Sequence, residues 1–478
     1  MLNTNFIDRK QELKSLSSVL NKKTASLIIV KGRRRIGKSR LINEFASKHK
    51  FIKFSGLAPQ TGVDATAERN RFAQSLTQQL DIPFISTDDW GTLFSQLAAK
   101  TTQGRIIILF DEISWMAHDD PLFLSKLQYA WENEFQRNPK LILILCGSVS
   151  SWINKNILNS TGFFGRVSLT LTLDEMPLLS CNEYMLSLGY KQSAFEKLNI
   201  LNITGGVPWY IEQINPTVSF LENIKRLCFM KDGLLVTEFN RIFHDLFEVR
   251  RHKILAQILQ ALVSGPKDAQ EIATTIEYGA GGVLAEYLTD LETSGYIHRD
   301  YTWALQSAVT SKLSRYRLKD NYIRFYLKYI EPKRRQIERQ QFQLINISAL
   351  PGFQATMGLQ FENLILNNRA LIFEILGIPS ETVIQDNTFF QKKTNRIPGC
   401  QIDYLIQTTF HTLYICEIKF SAQAITPIII SEVKEKIKRI KIPKGFTCIP
   451  VLIVANGVTD EVIDNGYFFK IINLAELI

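Results

Sequence analysis

The most specific chemical pattern in the sequence is a glycine-rich loop between an apolar run and a helical stretch. Residues Gly32 to Ser39 read G-x-x-x-x-G-K-S. Gly32 and Gly37 let successive backbone N–H groups turn toward phosphate oxygens, and the dipole of the following helix favours the same anion. Lys38 is expected to reach the β- and γ-phosphates, and Ser39 is expected to ligate Mg²⁺. The pattern therefore predicts a site for a nucleoside triphosphate and Mg²⁺.

A second pair of reactive side chains follows the apolar run Ile106–Phe110. Asp111 is expected to hold Mg²⁺ through water, and Glu112 is expected to orient and deprotonate the attacking water. The competing interpretation is that both carboxylates only cap the next helix. The phosphate loop upstream favours the hydrolytic interpretation.

Two more carboxylates and a lysine lie close together late in the chain. Asp403 falls in one strand-like run, and Glu417 and Lys419 fall in the next, with a turn-like stretch at 407–411 between them. Side chains two residues apart share one face of a strand, so Glu417 and Lys419 point the same way and Asp403 can converge with them. Such a group can bind Mg²⁺, activate water and stabilise the charge of a phosphodiester transition state. The alternative is a surface ion pair on an edge hairpin.

The elements that position these residues differ along the chain. Up to about residue 170, short β-rich runs alternate with helical patterns, which predicts an α/β fold with parallel strands. Residues 175–345 show mainly helical spacing. Mixed helix and strand returns from about residue 350, after the Pro-Gly pair at 351–352.

Composition limits the class of protein. The 478 residues carry 56 Lys or Arg and 46 Asp or Glu, which gives a net charge of +10 and favours polyanionic partners. With 45% hydrophobic residues, long disorder is excluded as the main state. The sequence contains no apolar run of membrane-spanning length, no secretory signal and no CxxC spacing among six cysteines. We therefore expect a cytoplasmic protein without a membrane contact.

The basic surplus is concentrated in the C-terminal half. Between Lys312 and Arg339, ten Lys or Arg stand against three acidic residues, and Ser431–Gly445 contains six against two. The first segment also carries interleaved aromatic residues, namely Tyr316, Tyr322, Phe325, Tyr326 and Tyr329. These could stack on nucleic-acid bases, but the core face of a helix is the favoured interpretation. The charges favour an anionic partner. We expect this partner to be nucleic acid, with DNA favoured.

The order of phosphate loop, Asp-Glu strand end and the strand end Gly147-Ser148 resembles the AAA-type P-loop ATPases, in particular the prokaryotic group allied to the STAND ATPases. The resemblance implies ATP as the nucleotide, Ser148 as the polar sensor of the γ-phosphate, and nucleotide-dependent homo-oligomers. Phe163-Phe164-Gly165-Arg166 resembles the segment that supplies an arginine contact to the phosphate, from the same chain or a neighbour. Arg166 could equally be a surface residue.

Two further segments carry the same resemblance. Phe6-Ile7-Asp8-Arg9 is similar to the family's N-terminal box over the adenine, although Asp8 replaces the usual glycine. Gly205-Gly206-Val207-Pro208 is similar to the G-G-x-P element of the helical lid. The resemblance thus adds Arg9, Gly206 and Pro208 to the expected nucleotide contacts.

Residues 253–300 resemble a winged helix-turn-helix, with three short helices followed by Gly295-Tyr296-Ile297. The third helix of such a module can enter the major groove of DNA. Here that helix, residues 282–292, has three acidic residues and no basic one. Docking to a protein partner is therefore weighed equally with DNA binding.

Asp403 and Glu417-Ile418-Lys419 resemble the motif of the PD-(D/E)xK nucleases, without a proline before Asp403. The resemblance implies that Glu362, in a preceding helix, joins Asp403 and Glu417 as a metal ligand, while Glu417 and Lys419 act in catalysis. It also implies a restriction-endonuclease-like α/β domain.

The predicted architecture is therefore an α/β multidomain chain. Its segments are an ATPase core with an αβα sandwich at 1–172, a helical lid at 173–250, a winged helix with a basic helical segment at 251–345, and a nuclease-like domain at 350–478. The first functional hypothesis is an ATPase whose nucleotide state controls this nuclease-like domain on DNA or RNA. The alternative is a STAND-like ATP switch that regulates docking to a protein, with a structural C-terminal domain. A ring-shaped DNA motor is a third hypothesis.

Overall fold

The computed structural model describes residues 6–58, 62–246, 249–395 and 398–478. These residues form two compact units. Of the described residues, the N-terminal unit contains 6–174 together with the segment that begins at Arg241. The C-terminal unit contains Glu175–Asn240 and the chain from Val249 onward. The four predicted segments remain a prediction within this division.

The N-terminal unit is built on a five-stranded parallel sheet in the order β2-β3-β4-β1-β5. Its strands are β1 (Ser26–Lys31), β2 (Lys50–Ser55), β3 (Ile106–Asp111), β4 (Leu141–Gly147) and β5 (Val167–Thr172). The predicted parallel α/β arrangement is confirmed. Because the strands are parallel, the phosphate loop after β1, the carboxylates after β3 and Ser148 after β4 emerge at the same edge of the sheet, where ligands of such sheets bind.

Helices cover the sheet of the N-terminal unit. They are α1 (Lys10–Val19), α2 (Lys38–Ala46), α3 (Ala65–Leu80), α4 (Trp90–Ala99), α5 (Ile113–Met116), α6 (Phe123–Asn133) and α7 (Ser150–Ile153). Every residue of β3 and β4 is buried, as expected for strands covered on both faces. On one face an aromatic cluster of Phe72, Trp90, Phe94 and Phe110 joins α3 and α4 to the sheet.

The helices that follow residue 175 are numbered α8 to α21. They are α8 (Leu178–Ser187), α9 (Ala194–Thr204), α10 (Pro208–Glu212), α11 (Phe220–Cys228), α12 (Leu234–Leu246), α13 (Val249–Ala261), α14 (Ala269–Thr275), α15 (Gly282–Thr293), α16 (Asn321–Phe325), α17 (Arg334–Glu338), α18 (Phe353–Asn367), α19 (Arg369–Leu376), α20 (Ile428–Arg439) and α21 (Asp460–Asp464).

The C-terminal unit has two sheets. An antiparallel hairpin joins β6 (Ile297–Trp303) and β7 (Thr310–Leu318). A mixed sheet has the order β12-β11-β10-β9-β8. Its strands are β8 (Val383–Gln391), β9 (Cys400–Thr408), β10 (Thr412–Lys419), β11 (Thr447–Val454) and β12 (Lys470–Asn473). Since β10 lies between β9 and β11, the β9–β10 hairpin is not at a sheet edge.

The β6–β7 hairpin packs against the mixed sheet. The Trp303 indole Nε1 donates to Gln407 Oε1 at 2.6 Å, and Gln407 Nε2 donates to the Leu305 carbonyl at 2.9 Å. Trp303 and Leu305 also join the apolar cluster formed by β9, β10 and Ile440. The hairpin after α13–α15 is therefore part of the core of the C-terminal unit.

The segment from Lys312 to Arg339 corrects one prediction and confirms another. The predicted basic helical segment is wrong at its start, because residues up to Leu318 belong to β7, where pairing with β6 overrides helical spacing. All five interleaved aromatic side chains are buried, as the favoured core interpretation predicts. Arg317 and Arg324 are buried as well, so two of the ten basic residues do not contribute to a surface.

The described ranges contain no helix that is both long enough and apolar enough to cross a membrane. No disulfide joins any of the six cysteines, all of which lie within these ranges.

Candidate functional site

The phosphate loop connects β1 to α2 through backbone conformations that favour glycine. Gly32 has φ 149°, and a Cβ there would lie 2.4 Å from the Leu173 carbonyl oxygen. Gly37, with φ 90°, immediately precedes α2. Arg35 also has a positive φ, at 70°, which is uncommon for a residue with a Cβ. The close approach to Leu173 and these left-handed turns explain why the loop needs glycine at its two ends.

The Lys38 ammonium is held inside the curve of this loop. It donates to the carbonyl oxygens of Gly32 at 2.9 Å and Arg33 at 3.0 Å, and the residue is only 6% exposed. A buried ammonium needs such partners because desolvation without hydrogen bonds is costly. Its charge thus lies at the start of α2, where the helix dipole also favours an anion.

Three side chains converge at the end of β3. Ser39 Oγ donates to Asp111 Oδ2 at 2.9 Å, and Lys53 Nζ on β2 lies 2.8 Å from the same oxygen. The Ser39 hydroxyl and the Asp111 carboxylate are oxygen ligands of the type that Mg²⁺ prefers, and Mg²⁺ usually binds one or two carboxylates together with substrate phosphates. The Lys53 ammonium occupies the position beside Asp111 that a metal cation would take. The residues therefore fit the magnesium ion predicted for this site.

Glu112 is paired with the residue that follows β4. Its Oε2 accepts hydrogen bonds from the Ser148 backbone N–H at 3.0 Å and from Ser148 Oγ at 2.8 Å. Glu112 also has a left-handed backbone, with φ 55°. Strained backbone at a chemically equipped position is common at functional sites. The structure therefore brings Glu112 and Ser148 together, with the serine bound to the glutamate.

Comparison with known proteins agrees with this geometry. Residues 6–214 match the family described as an ATPase domain predominantly from Archaea. The chain contains an archaeal-type ATPase domain. The match confirms the predicted ATPase class, and the parallel sheet with its phosphate loop is the fold that such a domain requires.

Individual relatives resemble different lengths of the chain. An uncharacterized protein of Methanocaldococcus jannaschii is 27% identical over 361 residues, which cover 75% of each chain. An uncharacterized ATP-binding protein of the same organism is 44% identical over 50 residues, or 10% of this chain and 85% of the relative. Among solved structures, the Walker-type ATPase of Pyrococcus abyssi aligns over 68% of this chain and 97% of its own, with 16% identity and a TM-score of 0.49.

Two arginines predicted for the ATPase domain have local partners. Arg166 Nε lies 2.5 Å from Glu132 Oε1 on α6. Arg9 is buried, pairs with Glu12 at 3.0 Å and donates to the Asp174 carbonyl at 2.5 Å. These contacts give both residues a structural role, and their contact with ATP remains a prediction.

Gly206 and Pro208 lie in the C-terminal unit, where Pro208 is the first residue of α10. The Met176 N–H donates to the Gly206 carbonyl at 2.7 Å, and a Cβ on Gly206 would lie 2.3 Å from the Met176 carbonyl oxygen. Close backbone approach therefore explains the glycine, and the expected nucleotide contact of both residues remains a prediction.

A second candidate site lies on β9 and β10. Asp403 Oδ2 accepts a hydrogen bond from the Ile418 backbone N–H at 3.0 Å, which fixes this carboxylate across the two strands. Glu417 is almost completely buried. The structure thus brings the two carboxylates to one face of the hairpin, as the strand pattern predicts.

Two lysines neutralise this pair. Lys419 Nζ lies 2.9 Å from Glu417 Oε1, and Lys436 Nζ on α20 lies 2.5 Å from Glu417 Oε2 and 3.4 Å from Asp403 Oδ1. Burial by itself lowers the pKa of each lysine, but the neighbouring carboxylates outweigh it and raise both pKa values. The cluster therefore holds two ammonium groups against two carboxylates, with Lys436 bridging the pair.

Glu362 on α18 is the third carboxylate of the predicted metal site. In the described part of the chain, no group of three or more Asp, Glu, His or Cys side chains is arranged to hold a metal ion. Burial, and then the charge of Asp403, raise the pKa of Glu362 to about 7. The structure therefore brings Asp403 and Glu417 together, two carboxylates that are sufficient donors for Mg²⁺ with water, and the role of Glu362 as a third ligand remains a prediction.

The sequence does not predict Lys53 or Lys436 as a site residue. For Lys436 a signal exists, because it follows Ile429 and Val433 on the buried face of α20 at helical spacing and therefore replaces an apolar residue. Lys53 lies two residues before the end of β2 and shares a face with Ser55. Its approach to Asp111 depends on the pairing of β2 with β3, which no local motif encodes.

Proposed function

We propose that the chain is an ATPase whose nucleotide state controls a C-terminal PD-(D/E)xK-like domain acting on nucleic acid, with DNA favoured. The observation that carries the C-terminal part of this proposal is the sharing of the Lys436 ammonium by Asp403 and Glu417. Two largely buried carboxylates that meet around a cation form an arrangement that a divalent metal can use.

In the ATPase domain, Ser39 and Asp111 would hold Mg²⁺, which supplies neutralising charge to the phosphates. Lys38 would exchange the carbonyls of Gly32 and Arg33 for phosphate oxygens. Glu112 would leave Ser148 in order to accept a proton from the attacking water. The release of Ser148 then frees its hydroxyl for the γ-phosphate, so that one exchange of hydrogen bonds would connect nucleotide binding to activation of the base.

In the C-terminal domain, Asp403 and Glu417 would hold Mg²⁺, which supplies charge stabilisation to a phosphodiester. Lys419 would remain beside Glu417 and stabilise the developing negative charge. Lys436 would leave the carboxylates and become available to a substrate phosphate. The mixed sheet supports this proposal because β10, which carries Glu417 and Lys419, is an interior strand that fixes both side chains.

The test is a cleavage screen with single- and double-stranded DNA and RNA, with and without MgATP. The expected result is Mg²⁺-dependent cutting that Glu417→Gln abolishes and that responds to ATP only when Lys38 is present. Glu435→Gln is the matched control, because Glu435 lies on the surface of α20 and pairs with Arg439. The absence of cutting of every substrate by the wild type would contradict the nuclease part, and unchanged hydrolysis in Lys38→Ala would contradict the ATPase site.

A second candidate function is a STAND-like switch that docks a protein partner. It is favoured by α15, which exposes Glu286 and carries no basic residue, so that contact with DNA phosphates is unfavourable. A salt titration separates the two functions. Nucleic-acid binding weakens steeply with salt, by a log–log slope of about 0.9 per neutralised phosphate of duplex DNA, whereas apolar docking does not.

A further inference from the structure

A groove lined by basic residues leads to Asp403 in the C-terminal unit. Two adjoining cavities of about 400 and 290 Å³ share Gly399, Cys400 and Gln401 at the start of β9. The basic groove, as we call it, is the surface formed by these cavities, and its cations are Arg315, Lys392, Lys393, Lys436 and Arg439. Asp403 lines the second cavity.

Three separate elements contribute cations to the basic groove. Arg315 comes from β7, and its guanidinium lies 5.3 Å from the centre of the Phe390 ring on β8. The two strands are also joined near the hairpin turn, where Gln385 Nε2 donates to the Ala308 carbonyl at 2.9 Å. Lys392 and Lys393 come from the segment after β8, and Lys436 and Arg439 come from α20. The packing of the hairpin on the mixed sheet therefore places an arginine of the hairpin in the same groove as the cations beside the carboxylates.

The charges of the basic groove are unevenly neutralised. Arg439 pairs with Glu435 at 3.0 Å, and Lys436 is committed to Asp403 and Glu417. Lys392 and Lys393 are exposed, and no carboxylate of the described residues lies within ion-pair distance of either ammonium group. The end of the groove that is remote from Asp403 therefore retains uncompensated positive charge.

We propose that the sugar–phosphate backbone of a DNA strand binds along the basic groove and brings one phosphate to Asp403. This inference rests on the proposed function and adds the path of the substrate. Cations distributed over two cavities suit a chain of phosphates better than a single anion, and lysines that contact phosphates bind without regard to sequence. The acidic helix α15 is then not the DNA surface, and the contribution of the winged region is Arg315.

The test measures binding without cleavage. Full-length protein is titrated into fluorescein-labelled single-stranded and duplex oligodeoxynucleotides in EDTA, and fluorescence anisotropy gives Kd at several salt concentrations. The variant is Lys392→Gln/Lys393→Gln. The charge-matched control is Lys444→Gln/Lys470→Gln, which removes two exposed lysines that do not line the groove. Both variants should retain the wild-type melting temperature, which reports correct folding, together with wild-type ATP hydrolysis.

The groove variant should bind DNA about tenfold or more weakly at about 0.1 M salt, and its log–log salt slope should fall by about 1.4 on single strands and about 1.8 on duplex. The control should remain within about twofold of the wild type. Equal affinities of the two variants, with Glu417-dependent cutting retained, would contradict the proposal that DNA binds along the basic groove and would leave the proposed function intact. If the wild-type protein binds no DNA at about 0.05 M salt, both the proposed DNA path along the basic groove and the proposed function on DNA would be contradicted.

Discussion

Lys53 offers a direct test of the metal site in the ATPase domain. Its ammonium lies 2.8 Å from Asp111 Oδ2, the oxygen that also accepts from Ser39. A divalent cation that uses this oxygen has to displace Lys53. Lys53→Met removes the competing charge while it keeps the aliphatic stem, so the variant should bind Mg²⁺ more readily.

The expected size of the effect on Mg²⁺ binding follows from the solvent exposure of the Lys53–Asp111 ion pair. The Lys53 side chain is 34% exposed and that of Asp111 only 9%, so the ion pair lies at the upper end of the range for partly exposed pairs, or about 1 kcal/mol. This corresponds to about a fivefold decrease in the Mg²⁺ concentration that half-saturates nucleotide binding. Mg²⁺ is titrated against a fluorescent ATP analogue in a Glu112→Gln background, which we expect to prevent hydrolysis because Glu112 is the proposed base.

Lys50→Met is the matched control because Lys50 begins the same strand and is exposed to solvent. It should leave the half-saturating concentration unchanged. The same value for Lys53→Met and Lys50→Met would refute the displacement argument. A requirement for more Mg²⁺ in Lys53→Met would show instead that the ammonium supports the bound nucleotide.

Three further predictions concern stability. Burial raises the pKa of Glu68 to about 7, so the folded state holds this proton more tightly than the unfolded chain and the free energy of unfolding should fall by about 3 kcal/mol as the pH rises from about 4.5 to 7. Glu68→Gln should remove that slope in urea titrations at pH 5 and pH 8, and an equally steep wild-type and variant profile would contradict this cause. Gly32→Ala should destabilise the ATPase domain by about 1–3 kcal/mol and weaken ATP binding at least tenfold, because the new Cβ would meet the Leu173 carbonyl. The control is Gly358→Ala, whose Cβ would meet nothing within 4 Å, and thermal melting should show it to be neutral or stabilising. Lys436→Met should lower the free energy of unfolding by about 1–2 kcal/mol because Glu417 keeps only Lys419, and added Mg²⁺ should restore part of that loss. Lys438→Met, on the exposed face of α20, should change neither the stability nor its response to Mg²⁺. Equal stability of the two variants would disprove the bridging role of Lys436.

Local patterns predict much of this molecule. The bounds of β1, β4 and β10 follow from apolar runs and their flanking residues, and the phosphate loop is recognisable from fixed spacing alone. Parallel strands then place Ser39 and Asp111 at one edge of the sheet, which the geometry requires before any side-chain detail is known.

Long-range packing accounts for what the patterns miss. Lys53 approaches Asp111 from a strand that is distant in sequence, so no local motif identifies it. Helical spacing places Lys436 on the buried face of α20, but it does not show which carboxylates the ammonium meets. The start of the basic segment is a strand because β6 provides its partner.

The packing of the β6–β7 hairpin also determines how the C-terminal unit can be divided in the laboratory. A fragment beginning near residue 350 would lose Trp303 and Leu305, expose the apolar face of β9 and leave the Gln407 amide without its two partners. Such a fragment should be poorly soluble. One that begins before α13 keeps the hairpin but still loses the helices between Glu175 and Asn240, which pack on the later elements through Phe195 against Phe420 and Tyr210 against Tyr322. We therefore expect α13–α15 and the mixed sheet to move as one rigid body. A displacement of the helices would then be transmitted to Asp403 and Glu417, because no hinge separates them.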